Sequence, residues 1–313
     1  MFKKWNKGLT LILMFALFLT ACGGGGNQQE ATPEQPAKAD QPAKAEQPAK
    51  TEALTIGVIP TLNQGKMQEA ISKLGKHFET ELGIPVKIDV YPDYNGVVEA
   101  MNFGKVNMAY FGPLTYVIAH HESGAEAIMT QLIKGEPFYY SYIIAHKDAP
   151  YNTLDDLLKN TKDVTFAFGD PSSTSGSLIP GIELKERGVY RSNNDYDFKN
   201  VIFTGGHDAT ALAVENKQVD AGAIDSAIFD TLKENGKING ELYKVIWQSE
   251  KLFQYPWAVK DVDAETVAKI QEAFLKVTDK EILDAFAASG FTKAQNSDYE
   301  AIRKAAEQDG RLK

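Results

Sequence analysis

The sequence predicts an α/β fold in two lobes joined by two chain crossings. Three observations predict it. Short β-branched runs alternate with amphipathic helical segments at the spacing of parallel βαβ units. The alternation begins afresh past residue 160. The chain beyond residue 53, roughly 260 residues, also exceeds the size at which a single core usually stops growing.

The first fifty residues form a separate part. Lys3, Lys4 and Lys7 precede an apolar run from Leu9 to Leu19, and small residues follow up to Cys22, the layout of a secretory signal over 1-21. The run falls short of the about 20 apolar residues that span a bilayer. Leu19-Thr20-Ala21-Cys22 resembles the bacterial lipobox, in which the cysteine thiol takes diacylglycerol and its amine an acyl chain such as palmitate. Together these lipids give stable anchoring. Cys22 is the only cysteine, so neither an intramolecular disulfide nor a cysteine-based metal site can form. A repeat follows, QPAKAD, QPAKAE and QPAKTE from Gln35 to Glu52, with no large apolar residue, so residues 22-53 read as an extended tether.

The formal net charge is -9 at pH 7, and removal of the signal lysines leaves the mature chain more acidic still. That argues against binding nucleic acid or an anionic membrane face. It does not exclude an anionic ligand, because a closed cleft of N–H and O–H donors sets its own local potential.

In the folded body, Thr55–Pro60 reads as a buried strand and Met67–Leu82 as a helix, with Met67, Ile71, Leu74, Phe78 and Leu82 on one face. Val86–Val90 alternates as a strand, and Tyr94–Phe103 is a helix ended by Gly104. Val106–Phe111 is a strand that Gly112-Pro113 breaks before another helix. Tyr142–Lys147 is a strand leading to a helix at Leu154–Leu158, capped by Asn152 or Thr153. The renewed alternation runs Val164–Phe168 (strand), Ser175–Glu186 (helix), Val201–Thr204 (strand), Thr210–Asn216 (helix) and Ala221–Ile224 (strand). A strand at Tyr243–Trp247 is followed by Tyr255-Pro256-Trp257 and then by helices at Ala264–Val277, Lys280–Ala288 and Ser297–Ala306. The chain thus leaves a first lobe near residue 146 and returns near residue 250, giving lobe 1 as 54-146 with 250-313 and lobe 2 as 147-249.

Ligands of such sheets bind beyond the carboxyl ends of the strands, and three segments fall there. GDPSSTSGSLIP, Gly169 to Pro180, follows a strand and opens a helix. Its Ser172, Ser173, Thr174 and Ser175 offer hydroxyls and successive N–H groups at the positive end of a helix dipole, a cradle for an anion. It lacks the lysine of a phosphate-binding P-loop. GGHDATA, Gly205 to Ala211, places His207 at the next such junction, either as a donor to a ligand or as a solvated loop residue, with Asp208 expected to cap the helix. AGAIDSA, Ala221 to Ala227, ends a strand on Asp225. Asp225 either caps the following helix or faces the cleft, where it accepts from a protonated ligand oxygen or pairs with an amine and repels a fully ionised oxyanion. Among thirteen tyrosines most pack the core, but Tyr94 and Tyr139 sit where a hydroxyl could face a cleft. Tyr255 and Trp257 either line the mouth or pack the hinge.

With these segments in hand, the chain resembles the phosphonate/phosphite/phosphate-binding proteins of ABC importers. The matching stretches are YPDYNGVVEAM, AYFGPLTYV, the aromatic run before SYIIAHKD, TFAFGDPSSTSGSLIP and GGHDATALAVENKQVDAGAID, within a likeness running from Leu54 to about Phe291. The resemblance implies a two-lobed periplasmic-binding-protein fold of type II. It implies that Tyr94 and Tyr139 present hydroxyls, that Ser173, Thr174 and Ser175 hold the ligand oxygens, and that His207 completes the set. Asp225 and Tyr255 stand beside them as further ligand-binding candidates. Family members that bind aminoalkylphosphonates carry an added Glu and Asp for the amine. Here the corresponding positions are Ala227 and Tyr255, which favours phosphite, methylphosphonate or phosphate.

The implied molecule is a monomeric, lipid-anchored protein on the extracytoplasmic face that delivers its ligand to an ABC permease, with no catalysis, cofactor or metal. Two rivals differ from it. A cationic or heteroaromatic ligand could sit in an aromatic cage of Tyr139, Tyr140 and Trp257. A hydrolase would use the Ser, His and Asp near the cleft, but no GxSxG elbow is present, and His120-His121-Glu122 is not the zinc motif HExxH.

Overall fold

The computed structural model describes residues 50–62 and 64–312. The proposed signal, Cys22 and nearly all of the tether lie outside the described residues. The chain begins with β1 (Leu54–Val58), α1 (Gln64–Leu82), β2 (Val86–Val90), α2 (Tyr94–Asn102), β3 (Met108–Tyr110), α3 (Pro113–Ser123) and β4 (Glu126–Leu132). A short connecting strand, β5 (Phe138–Tyr139), comes next, and then β6 (Ser141–His146). Next come α4 (Leu154–Leu158), β7 (Thr165–Phe168), α5 (Ile179–Glu186), β8 (Tyr190–Ser192), β9 (Asp195–Tyr196), β10 (Asn200–Phe203), α6 (His207–Glu215), β11 (Ala221–Asp225) and α7 (Ser226–Glu234). The last elements are β12 (Tyr243–Gln248), β13 (Leu252–Phe253), β14 (Pro256–Val259), α8 (Ala264–Leu275), α9 (Lys280–Ala285), β15 (Gly290–Lys293) and α10 (Glu300–Gln308).

These strands build two large sheets, ordered β15-β4-β14-β3-β1-β2 and β10-β7-β11-β6-β12. The expected parallel pairing holds for β1 with β2 and β3, and for β7 with β10 and β11. The strand that joins each sheet from the hinge runs against those neighbours: β14 pairs antiparallel with β3, and β6 with β11. Both enter their sheet from the other lobe rather than from a crossover helix, so the direction imposed by a βαβ unit does not apply to them.

One boundary read from the sequence changes. Ser141–His146 belongs to the second sheet, not to lobe 1, so the outgoing crossing lies before residue 141 rather than at 146. The apolar run YIIAH suits the interior of either sheet, and only its partners β11 and β12 decide. The two crossings run side by side as a ribbon: β13 pairs with β5, Leu252 opposite Tyr139 and Phe253 opposite Phe138. Ser141 and Ser249 extend it, with the Ser249 N–H donating to the Ser141 carbonyl at 3.0 Å and the Ser141 N–H to Ser249 Oγ at 2.9 Å.

Each lobe has its own core. Val58, Phe78, Met101, Tyr110, Trp257 and Phe274 lie in that of lobe 1; in lobe 2, Phe166 and Phe168 pack one face of the sheet, and Ile144, Ala211 and Phe229 the other. The strands' carboxyl ends carry the turns that hold the candidate residues.

Candidate ligand-binding site

The cradle begins where β7 ends. Pro180 has no N–H, so it cannot bond back to the Gly176 carbonyl, and that carbonyl instead accepts the Gly169 N–H at 2.8 Å. The chain therefore makes a wide π turn over Thr174–Leu178, and an α-helix proper starts only at Ile179. The single helix expected from Ser175 is divided by this proline. Ser173 caps the turn, its Oγ accepting from the Gly176 N–H at 3.0 Å. Gly176 has no room for a side chain: a Cβ would stand 2.9 Å from Ser173 Oγ and 3.3 Å from His207 Cε1.

The same loop supplies groups to lobe 1. The N-cap of α3 is Gly112, which has no side chain to give, and the Leu114 N–H donates across the cleft to Thr174 Oγ1 at 2.7 Å. The hydroxyl proton of Thr174 is thereby left to donate elsewhere. Asp170 accepts from the Ser172 N–H at 2.7 Å and from the Tyr94 N–H that opens α2. Burial raises its pKa against those bonds. On the lobe 2 side, the His207 N–H donates to the Thr61 carbonyl at 3.4 Å. Beyond α10, whose Ile302 and Ala306 lie in the lobe 1 core, Arg311 donates to the Pro171 carbonyl at 2.6 Å.

His207 is fixed in one tautomer. Its Nδ1 accepts the Asp225 N–H at 3.3 Å, so the ring proton lies on Nε2, 3.2 Å from the Tyr255 hydroxyl. Burial pulls its pKa down to about 3, leaving it neutral. Asp225 is the helix cap, the first of its two sequence readings. Oδ1 caps α7, accepting from the Ala227 and Ile228 N–H groups at 2.7 and 2.9 Å, while Oδ2 is buried without a partner among the described residues. Burial pushes its carboxyl up to about 7, against the pull of the two cap bonds and of the Tyr255 hydroxyl. The Tyr139 hydroxyl and Ser175 Oγ are likewise buried and unpartnered. Tyr139 stands close enough to Asp225, Ser175, Thr174 and Tyr94 to feel each of them.

All eight candidates, Tyr94, Tyr139, Ser173, Thr174, Ser175, His207, Asp225 and Tyr255, are exposed by 1% or less and gather where the lobes meet. Tyr255 lies inside the site and not at its mouth, its ring 5.4 Å from that of Tyr139 and 5.7 Å from that of Tyr110. Trp257 is elsewhere: it belongs to β14 and packs against Tyr110, Phe274 and Phe286 in the lobe 1 core, so no cage with Tyr139 and Tyr140 forms. Asp208 is not the helix cap, because α6 starts at His207, three residues earlier than expected, with Gly206 at its N-cap. Sequence reasoning missed the Asp170, Leu114 and Thr61 contacts. It also missed Tyr110, whose phenol is raised by burial and lies within reach of Asp225.

Comparison with known proteins shows the family of the chain. A family model described as "ABC transporter, phosphonate, periplasmic substrate-binding protein" matches residues 56–299. The chain is 34% identical over 264 residues to the phosphonates-binding periplasmic protein of Escherichia coli, covering 82% of this chain and 76% of that one. It is 31% identical over 280 residues to the phosphate-import protein PhnD of Mycolicibacterium smegmatis, covering 86% and 81%. The crystal structure of a binding protein component of an ABC phosphonate transporter from Pseudomonas aeruginosa superposes with a TM-score of 0.74 at 28% identity, over 85% of this chain and 88% of that one. With its two sheets, hinge ribbon and buried hydroxyl cradle, the chain belongs to the family of periplasmic phosphonate substrate-binding proteins of ABC transporters.

Proposed function

We propose that this protein is an extracytoplasmic lipoprotein, anchored through Cys22, that captures phosphite, phosphate or a small phosphonate between its lobes and delivers it to an ABC permease. The observation that carries the ligand class is the donor set. Ser175 Oγ and the Tyr139 hydroxyl are buried in one cluster with Thr174, whose oxygen accepts the Leu114 N–H so that its proton is left to donate, and the three hydroxyls feel one another. Such preorganised donors at a helix start suit a tetrahedral oxyanion. Ala227 and Tyr255, standing where the family's amine-binding acids would be, support a ligand with a small substituent or none. The relatives named for phosphonate binding and phosphate import support the same class.

Binding without catalysis is the reading the side chains favour. Ser173 Oγ is engaged by the Gly176 N–H, and His207 Nε2 faces Tyr255 and not a serine, so no nucleophile stands paired with its base. The cationic alternative loses Trp257 to the lobe 1 core.

Titration calorimetry of the purified chain with phosphite, phosphate, methylphosphonate and sulfate tests the ligand class. Replacing Ser173 and Thr174 together by Ala should remove charge-assisted bonds worth about 1.5–3 kcal/mol each, a loss of at least about a hundredfold in affinity. An unchanged affinity would remove the cradle from the site.

A further inference from the structure

Asp225 sits in the anion site with one oxygen spent and one to spare. Its side chain is pinned by Oδ1 on the start of α7, and Oδ2 is buried with no closer protein donor than the Tyr255 hydroxyl, in the same cluster as the Tyr139 hydroxyl and Ser175 Oγ. Tyr94 from α2, Tyr110 from β3, Tyr139 from β5, Tyr142 from β6 and Tyr255 ahead of β14 all lie within electrostatic reach of its carboxylate. His207 from α6 holds its backbone N–H, and Asp230, one turn along α7, adds negative charge. A bare carboxylate oxygen against a fully ionised oxyanion would leave two buried acceptors facing each other with no proton between them.

Resting on the oxyanion reading above, we propose that Asp225 Oδ2 and a ligand oxygen share a single proton, so that Asp225 selects oxyacids able to bring or accept that proton near neutral pH. The proton can arrive on either partner. A monoanion donates its O–H to Oδ2, and a dianion binds only with a protonated Asp225 that donates to it. In both cases the complex contains one O–H···O bond and the same total charge. Phosphorus oxyacids have a second ionisation near neutrality, about 6 for a phosphoryl group, and meet this condition easily. Sulfate carries no proton at these pH values and must draw one onto Asp225.

Proton linkage follows. Burial pushes the free Asp225 carboxyl up to about 7, raises the phenols of Tyr94, Tyr139 and Tyr255 well above their usual range, and keeps His207 neutral down to about 3. Between pH 7 and 9 this leaves Asp225 and the ligand to titrate. Above the ionisation of both, each binding event takes up one proton, and affinity falls about tenfold per pH unit.

Calorimetry of the purified full chain with phosphite and with sulfate, from pH 6.5 to 9.5 in two buffers of different ionisation enthalpy, counts that proton. The expected results are uptake of about one proton per phosphite at pH 9, and sulfate weaker than phosphite, which alone can bring its own proton, at pH 6.5. Asp225→Asn keeps the cap oxygen and turns the free position into a donor. It should abolish both the proton uptake and the alkaline loss, and bring sulfate within about tenfold of phosphite. Binding by the unaltered protein that is independent of pH with no proton uptake overturns the shared proton alone, as does an unchanged pH slope in Asp225→Asn. No binding of phosphite, phosphate or methylphosphonate at any pH overturns the ligand class along with it.

Discussion

The imidazole of His207, pulled down to about 3 by burial, is a neutral donor through Nε2 because the Asp225 N–H occupies Nδ1. This has a consequence for stability. The depressed value means that the unfolded chain takes up a proton below about pH 6.5 that the folded chain refuses, so stability is lost as pH falls from there toward 3. His207→Gln, which keeps an N–H donor but cannot protonate, should lose less melting temperature between pH 6 and pH 4 than the unaltered protein. Equal losses would mean that another group governs the acid limb. Tyr139 is the opposite case: its buried hydroxyl makes no well-formed hydrogen bond and only feels the Ser175 and Thr174 hydroxyls, which costs up to about 1–3 kcal/mol. Tyr139→Phe keeps the ring packed edge-on to Tyr255 and should melt no lower than the unaltered protein while binding oxyanions at least about tenfold more weakly. A variant that binds equally tightly would place this hydroxyl outside the site. At this scale the sequence was most readable where chemistry is contiguous. Ser172 to Ser175 follow one another after a strand, whereas Asp170 and Tyr110 matter only through partners far away in the chain.

Among the elements, α10 and the cradle loop show how lobe 1 grips lobe 2. Asp309, just past α10, has its side chain only 3% exposed and pairs with Lys185 of α5 and with Arg311, which in turn reaches the Pro171 carbonyl. Partly exposed ion pairs are worth up to about 1 kcal/mol, so Arg311→Ala should weaken ligand binding by roughly two- to fivefold. The effect should appear in the off-rate measured by stopped flow, since the arginine bridges the lobes and touches no candidate site residue other than through the loop. A change confined to the on-rate would argue against a clasp. Strong helices such as α1 and α8, with regular apolar spacing and for α8 an Asp263 cap, were legible in the sequence. The strands β4, β14 and β15 were not. EAIMTQL in β4 is rich in helix-favouring residues, and Pro256 at the start of PWAV reads as a break when it is the first residue of a strand.

Across the whole molecule, both lobes use one strand plan. In each, β2 or β10 lies at one side, the strand arriving from the hinge, β14 or β6, is inserted antiparallel next to β3 or β11, and β4 or β12 lies beyond it. The α/β class, the two lobes and the cradle followed from local pattern. The membership of β6 did not, because it depends on which sheet accepts an apolar strand of either fitness. Charge also acts at this scale. The chain is acidic, with a formal net charge of -9, yet the proposed donors are buried hydroxyls and N–H groups without lysine or arginine among them. Raising salt from 50 to 500 mM should therefore leave oxyanion affinity within about threefold or slightly strengthen it, since screening weakens only the repulsion from the surface. A steep loss with salt would reveal an exposed cationic contact that the site lacks.

The caps that lobe 2 lends to α2 and α3 make two backbone amides into a gauge. The N–H groups of Tyr94 and Leu114 are bonded by Asp170 and by Thr174, which belong to the other lobe. Whenever the lobes part, both amides lose their acceptors at once while the helices behind them stay folded. Hydrogen exchange at these two positions therefore reports lobe separation without any attached probe, and protection that grows with added ligand reads closure directly from the backbone.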